Sequence, residues 1–367
     1  MQSAAGYDKI LKVYAKRKGS KRLPAGNTNQ KSRNKGIDMK VRRILTGLLA
    51  FVLLTGCSGQ TGTDRLDTDG YIDRVPLVEI EDEAVALSEA PLPATAILLK
   101  SEASGKLVQK NSRATIDYSN TADGYVMVKC SGGGKKLMVQ VFGPSYATNE
   151  TKYTYNLNGD EWTTFPLSDG NGSYKVTVYE NTSGKNYATL LSASFDVALA
   201  DEFAPFLRPN QYVNYEENAE NSIAKAAELT EGIDDPLKKV EEVYKFVVNN
   251  ITYDKQKAKS VQSGYLPVLD ETLSTGKGIC FDYAALMTGM LRSQGVPCKL
   301  VVGYAGKQYH AWISVWTEET GWVDGVVFFD GSTWQRMDPT YISSGKNSTA
   351  IQKYVGNGKN YNAMYLY

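Results

Sequence analysis

The sequence predicts a multi-domain protein in which an all-β domain precedes an α+β domain. Between about residues 94 and 203, apolar and polar residues alternate with period two, as in half-buried strands. From Asn214 the apolar residues take the three-and-four spacing of amphipathic helices, and strand-like runs return further along the chain. These two changes of period set the order of the domains.

The charged residues are distributed unevenly along the 367-residue chain, although its net charge is only +1. The first 43 residues contain 13 basic and two acidic residues, whereas the chain from Cys57 onward has 28 basic and 38 acidic residues, a net charge of −10. An acidic body argues against nucleic acid as a partner, because phosphate binding needs clustered lysine and arginine. One histidine and four scattered cysteines provide no ordinary zinc site, and the sequence has no EF-hand, Walker or dinucleotide-binding motif. We therefore expect neither a metal nor a cofactor.

A short secretory-type segment begins at Met39. Three basic residues follow it and precede an apolar stretch over 44–54 that is too short for an ordinary membrane-spanning helix. The Leu-Thr-Gly-Cys run at 54–57 resembles the cleavage box of bacterial lipoproteins. This resemblance implies that residues 39–56 are a signal peptide and that Cys57 is lipidated, which would anchor the exported chain to the outer face of the cell membrane. A plain signal peptide or a short N-terminal anchor is the alternative.

Two segments flank this signal. Residues 1–38 precede it, although such signals stand at the start of a chain, so we expect translation to begin at Met39 and the upstream extension to be an error of the gene boundary. A genuine basic extension is the alternative. Residues 57–93 are rich in Asp, Glu, Ser, Thr and Gly and have little periodicity. Mutual repulsion of their carboxylates predicts an extended acidic tether before the first folded domain.

About seven short strands are predicted for the β domain, residues 94–203. They are Ala114–Tyr118, Tyr125–Val128, Leu137–Val141, Lys152–Leu157, Trp162–Leu167, Tyr174–Val178 and Thr189–Val197. The glycine-rich run Ser131–Gly134 predicts a hairpin between the second and the third of these. Regular short strands with intervening turns are typical of a two-sheet sandwich of immunoglobulin type, although the Cys…Trp…Cys framework of antibody domains is missing. Cys130 lies in a predicted strand and is expected to be a small buried residue.

Helical spacing opens the second domain, residues 204–367. Ser222–Thr230 is the first predicted helix, and Gly232 suits its C-terminal cap. Asp235 and Pro236 predict the N-cap and first residue of the next helix, whose apolar stripe runs over 237–247.

A further helix is predicted to begin on Cys280 and to end at Gly295. A cysteine at a helix N-terminus meets unpaired backbone N–H groups and the positive end of the helix dipole, and both favour the nucleophilic thiolate. A thiolate nucleophile needs a base, and His310, in the alternating run 309–316, is the only imidazole of the chain. Asp338, followed by Pro339, ends another strand-like run and is a candidate to orient the imidazole.

Several motifs together resemble the transglutaminase-like superfamily. They are Gly278-x-Cys280-x-Asp282-Tyr283-Ala284, Gly295-Val296-Pro297, Val301-Val302-Gly303-Tyr304, His310-Ala311-Trp312, Trp322 and Asp338-Pro339-Thr340. The resemblance covers roughly residues 204–367 and implies a papain-like α+β core, with the cysteine helix packed on an antiparallel sheet. It also implies Cys280 as the nucleophile, His310 as the general acid/base and Asp338 as its orienting group. The hairpin-like run over 326–337 departs from the family pattern and is interpreted as either a border of the cleft or a plain turn.

The activity that this resemblance implies is acyl transfer from a peptide or protein amide, either free or linked to the cell wall, through a thioester on Cys280. Nothing in the sequence selects water over an amine as acceptor, so a peptidase or amidase and a cross-linking transglutaminase both stay open. The Cys280 backbone N–H is one expected oxyanion donor, and Gln262 or Tyr265 is a candidate for a second. Asp282 is expected only to support its helix, and Trp312 and Cys298 are expected in the core. A non-catalytic surface binding or adhesion protein on the same scaffold is the alternative function.

Overall fold

The computed structural model of the protein describes residues 96–131, 134–318, 321–324, 326–329, 334–337 and 361–367. The predicted upstream extension, signal peptide, lipidation site Cys57, almost all of the acidic tether and Asp338 lie outside the described residues. Within the described ranges, none of the helices combines the length and apolar composition needed to cross a membrane.

Eight strands form the N-terminal part as two antiparallel sheets. They are β1 Val108–Lys110, β2 Ala114–Asp117, β3 Tyr125–Cys130, β4 Leu137–Phe142, β5 Tyr153–Leu157, β6 Thr163–Pro166, β7 Gly172–Ser183 and β8 Asn186–Val197, with a short helix α1 Tyr146–Asn149. The sheet orders are β1-β2-β3-β6 and β5-β4-β7-β8. Apolar residues of both sheets belong to one buried core, and Tyr155 of β5 meets Phe165 of β6 with ring centroids 5.1 Å apart. The seven predicted strands are all present, and the immunoglobulin-like relationship stays a prediction.

The predicted hairpin at the glycine-rich run 131–134 is wrong. β3 pairs with β2 and β6, whereas β4 pairs with β5 and β7, so this loop connects the two sheets. A glycine-rich loop indicates a change of direction, but it does not fix which strands pair, because pairing depends on burial of the whole face.

Helices dominate the next part of the chain. They are α2 Glu220–Leu229, α3 Pro236–Asn250, α4 Lys255–Ser260, α5 Leu269–Thr275 and α6 Cys280–Ser293, and the strands β9 Thr252–Tyr253 and β10 Lys277–Gly278 pair in parallel. The cap predicted for α3 is confirmed, since the Asp235 carboxylate accepts a hydrogen bond from the Leu237 N–H at 2.9 Å. Helix α2 ends at Leu229, earlier than its predicted cap at Gly232.

A third four-stranded sheet has the strand order β13-β12-β11-β16 and is antiparallel throughout. Its strands are β11 Cys298–Ala305, β12 Gln308–Thr317, β13 Gly321–Asp324 and β16 Tyr361–Leu366, while β14 Val326–Phe329 and β15 Trp334–Met337 form the predicted hairpin. Helix α6 is buried from Asp282 to Ser293 and packs on β11 and β12. The expected α+β core, with the cysteine helix on an antiparallel sheet, is therefore confirmed.

Candidate functional site

Cys280 is the first residue of α6, and its side chain is half-buried, whereas Cys130 and Cys298 are fully buried. The residue before it, Ile279, is the N-cap and has no polar side-chain atom that could accept a hydrogen bond. No described residue accepts a hydrogen bond from the backbone N–H groups of Cys280 and Phe281. These groups and the helix dipole are therefore available to a negative charge on or beside the thiol.

His310 lies in β12, opposite Gly303 of β11, and is 2% exposed. Its ring lies 6.2 Å from the ring of Trp312 and 6.4 Å from that of Tyr361. Packing of α6 on β12 brings the two elements together, but no hydrogen bond between described residues joins the Cys280 thiol to the His310 ring. Catalytic hydrogen bonds often tighten only when substrate is bound. The roles of nucleophile and base stay predictions.

Asp338 follows Met337, the last residue of β15, and lies outside the described residues. The β14–β15 hairpin leads directly to it, and β14 lies against α3 and β12. Its role as the orienting carboxylate also stays a prediction.

Asp282 does more than support its own helix. Its fully buried carboxylate accepts hydrogen bonds from the Ile279 N–H at 2.7 Å and from the Tyr265 hydroxyl at 2.6 Å. The Lys257 ammonium lies 3.0 Å from the same carboxylate and donates to the Tyr265 hydroxyl at 2.6 Å. The sequence offered no sign of this group, because Lys257 and Tyr265 lie well upstream in a different helix and a loop.

Neither candidate for the second oxyanion donor takes that place in this structure. The Tyr265 hydroxyl donates to Asp282, so its proton is already used. Burial, the Asp282 hydrogen bond and the Asp282 charge raise the pKa of Tyr265, which keeps that proton in place. Gln262 is exposed, and its amide donates to the Ser260 carbonyl at 2.8 Å.

Aromatic residues pack beside the residues that adjoin Cys280 and His310 in the sequence. Phe281, next to Cys280, lies 5.7 Å from Tyr212, measured between ring centroids. Tyr309, next to His310, has its pKa raised by burial first and then by neighbouring tyrosines and Cys280. It lies 5.5 Å from Tyr304, also between ring centroids.

The edge strand β5 contacts the segment that carries Gln211 and Tyr212. The Tyr212 hydroxyl donates to the Thr154 carbonyl at 2.9 Å. The Gln211 side-chain amide forms two hydrogen bonds with the backbone of Asn156, at 3.1 and 2.8 Å. This amide therefore bonds to backbone N–H and C=O groups at the edge of β5, as a neighbouring strand would.

The two residues predicted to be core are confirmed as such. Trp312 is 4% exposed, and its ring packs edge-on against Tyr361 at 5.1 Å. Cys298 is fully buried, and burial raises the pKa of its thiol to about 11. Cys298 is therefore a poor nucleophile near neutral pH.

The sequence model of the transglutaminase-like superfamily matches residues 223–339. A UPF0252 protein of Methanocaldococcus jannaschii is 33% identical over 96 residues, which are 23% of this chain and 27% of that protein. A protein-glutamine gamma-glutamyltransferase of Pseudomonas aeruginosa is 30% identical over 86 residues, 20% of this chain and 11% of that protein. The match thus spans about a quarter and about a tenth of the lengths of these relatives. The periplasmic domain of TgpA from Pseudomonas aeruginosa aligns in structure with a TM-score of 0.29 and 16% identity, covering 68% of this chain and 99% of that domain.

Proposed function

Residues 223–339 form a transglutaminase-like domain, and from this premise we propose that the protein is a cysteine acyl-transfer enzyme of the cell surface. The observation that supports the proposal most directly is the position of Cys280, a partly buried thiol on the first residue of a buried helix whose first two backbone N–H groups bond to no described residue. The other two described cysteines are buried and lack such a setting.

The proposed reaction has two halves. The Cys280 thiolate attacks the carbonyl carbon of an amide, and the resulting oxyanion is stabilised by the backbone N–H groups at the start of α6. The C–N bond then breaks, His310 donates a proton to the departing amine, and a thioester remains on Cys280. Water or an amine attacks the thioester, His310 takes the proton of the attacking group, and the thiolate is restored. Asp338 holds the imidazole of His310 in the orientation that both proton transfers need.

The substrate class is a peptide or protein amide, either free or linked to the cell wall. We favour hydrolysis over cross-linking, and the acceptor is decided by the experiment below. A lipid on Cys57 and the acidic tether over 57–93 would place the enzyme on the outer face of the membrane, where such amides occur. Two or more acyl chains are needed for stable anchoring.

Mass spectrometry of peptide and amine mixtures tests this function. The wild-type protein, a Cys280→Ala variant and a Cys130→Ala control are incubated with glutamine-containing peptides and a primary amine. Cleavage or deamidation by the wild type and the control, but not by Cys280→Ala, indicates a hydrolase, and an amine adduct indicates a transglutaminase. If all three proteins leave the mixture unchanged, the enzymatic function is wrong and the binding or adhesion alternative takes its place.

Thiol labelling gives a second test that needs no substrate. Iodoacetamide should alkylate Cys280 of the native protein at least tenfold faster than Cys298, and His310→Ala should slow this reaction. Equal rates at the two thiols, with no effect of His310→Ala, would remove the support for a nucleophilic Cys280.

A further inference from the structure

We propose that Lys257, Tyr265 and Asp282 act together as positioning residues for Cys280, an inference that rests on the proposed acyl-transfer function. The three side chains form a closed ring of polar contacts beneath the first turn of α6. None of the three is expected to contact the substrate.

The contacts of Asp282 are complete for a buried carboxylate. Three donors reach it, namely the Tyr265 hydroxyl, the Ile279 N–H and the Lys257 ammonium. Lys257 also lies over the Tyr265 ring, 4.5 Å from its centroid, and its side chain remains 23% exposed. A buried carboxylate without such partners would be strongly unfavourable, so the ring holds Asp282 in one place.

This ring fixes the backbone that leads into the nucleophile. Asp282 holds the N–H of Ile279, the residue directly before Cys280. On the other side, the Asp254 carboxylate accepts from the Lys257 N–H at 2.8 Å, and the Asp254 N–H donates to the Gly278 carbonyl at 2.8 Å. The chain before Cys280 is therefore held both by Asp282 and by the helix that bears Lys257.

Gly278 adds a close packing contact to this arrangement. A Cβ at this position would lie 2.7 Å from the Asp282 Cβ. The carboxylate and the strand before the nucleophile thus share one tightly packed position, and a shift of either would move the Cys280 thiol and backbone N–H.

The same ring has an electrostatic consequence. A negative charge on Asp282 opposes both a thiolate on Cys280 and an oxyanion beside it, and the Lys257 ammonium offsets that charge. The titratable groups on the elements that flank the first turn include Asp254, Lys257, Tyr265, Glu271, Lys277, Asp282 and Tyr309. Among the described residues that contact the Asp282 carboxylate, Lys257 is the one cation.

Two lysine variants in the same helix test the electrostatic role of Lys257. In the full chain, Lys257→Met leaves Asp282 uncompensated, whereas Lys259→Met removes an exposed lysine from the same helix. A unit charge within about two helical turns, at an effective dielectric constant of about 20, changes an ionisation equilibrium about tenfold or more. We expect Lys257→Met to slow iodoacetamide labelling of Cys280 about tenfold at pH 7 and to move its pH profile up by about one unit. Lys259→Met should match the wild type.

Two further variants separate positioning from charge. The double variant Lys257→Met/Asp282→Asn removes both charges, so the labelling profile of Cys280 should return to within about twofold of the wild type. Tyr265→Phe keeps both charges and loses only the hydroxyl, so the profile should stay in place. In both variants we expect kcat for amide turnover to fall about tenfold with KM unchanged, because the catalytic geometry, and not substrate binding, is disturbed.

The outcomes keep this proposal distinct from the proposed function. Absence of Cys280-dependent turnover in the wild type overturns the enzymatic function, while the labelling comparison still tests the ring. Equal labelling in Lys257→Met and Lys259→Met, or no return in the double variant, overturns the electrostatic role. Normal kcat in Tyr265→Phe overturns the positioning role. Thermal unfolding of each variant, measured by circular dichroism, identifies any that is not folded, and Tyr265→Phe is the mildest change.

Discussion

Arg292 provides a sharp test of how the core of the second domain is held together. It is fully buried on α6, and its guanidinium donates to three backbone carbonyl oxygens. The acceptors are Cys298 at 2.8 Å and Arg208 and Tyr367, each at 2.6 Å. Burial lowers the pKa of Arg292. The side chain thus joins α6 to β11, to the segment before α2 and to the end of the described chain.

The cost of removing this guanidinium can be worked from these contacts. An Arg292→Met variant leaves three carbonyls without their charged donor, at about 1–3 kcal/mol each, and regains part of the desolvation cost of the cation. We expect a net loss of about 4 kcal/mol in the free energy of unfolding. With a urea m-value of about 3 kcal/mol per molar, the midpoint should fall by more than 1 M.

The matched control for this variant is Arg113→Met in the β domain. Arg113 pairs with Glu180 at 2.5 Å, but its side chain is 36% exposed, so water screens the pair and its loss should lower the free energy of unfolding much less than the loss of Arg292. Urea unfolding of the full chain, followed by tryptophan fluorescence, measures both variants. If Arg292→Met shifts the midpoint no more than Arg113→Met, the three carbonyl contacts do not stabilise the fold as described.

Three further predictions concern the contact between β11 and β16, alkaline pH and the contact of Gln211 with β5. In Gly303→Ala, the added Cβ would overlap the Asn362 carbonyl oxygen. We therefore expect the free energy of unfolding, measured in urea, to fall by at least about 3 kcal/mol. Unchanged stability would contradict this close approach of β11 and β16. Because burial raises the pKa of Cys298 from 9.0 to about 11, the unfolded chain releases this proton at a lower pH than the folded protein. Between about pH 9 and 11 the free energy of unfolding of the wild type should therefore fall by about 3 kcal/mol relative to that of Cys298→Ala. If the free energies of unfolding of the two proteins depend on pH in the same way, the raised pKa of Cys298 is wrong. Gln211→Ala removes both amide contacts to Asn156, so hydrogen exchange of the Asn156 N–H should quicken at least tenfold; unchanged exchange would show that β5 is held by other contacts.

Much of the fold could be read from local pattern. The seven predicted strands, the N-cap at Asp235, the start of α6 on Cys280 and the 326–337 hairpin are all present in the structure. These features depend on side-chain periodicity, caps and turn residues, which act over a few positions. The pairing of strands could not be read in this way. The loop at 131–134 resembles a hairpin turn, yet it crosses between sheets, since burial of both sheet faces decides which edges meet.

The same distinction between local pattern and tertiary contact applies to the candidate site. Cys280 and His310 could be selected from the sequence because the chemistry needs a thiol at a helix start and an imidazole, and the chain has one histidine. The partners of Asp282 could not be selected from the sequence, because a lysine and a tyrosine on neighbouring elements have no fixed spacing to a buried carboxylate. Tyr265, 17 residues before Asp282, was one of two candidates for a second oxyanion donor, but its hydroxyl donates to the Asp282 carboxylate.

Propensities, caps and side-chain types are local properties, so the elements that form and the residues that can do chemistry were predictable before folding was considered. The tertiary structure alone decided which groups those residues meet. Arg292 meets carbonyls 84 and 75 positions away, and Gln211 meets the edge of a strand 55 positions before it. Such contacts are selected by the burial and hydrogen-bond satisfaction of the folded chain as a whole, which no local spacing records.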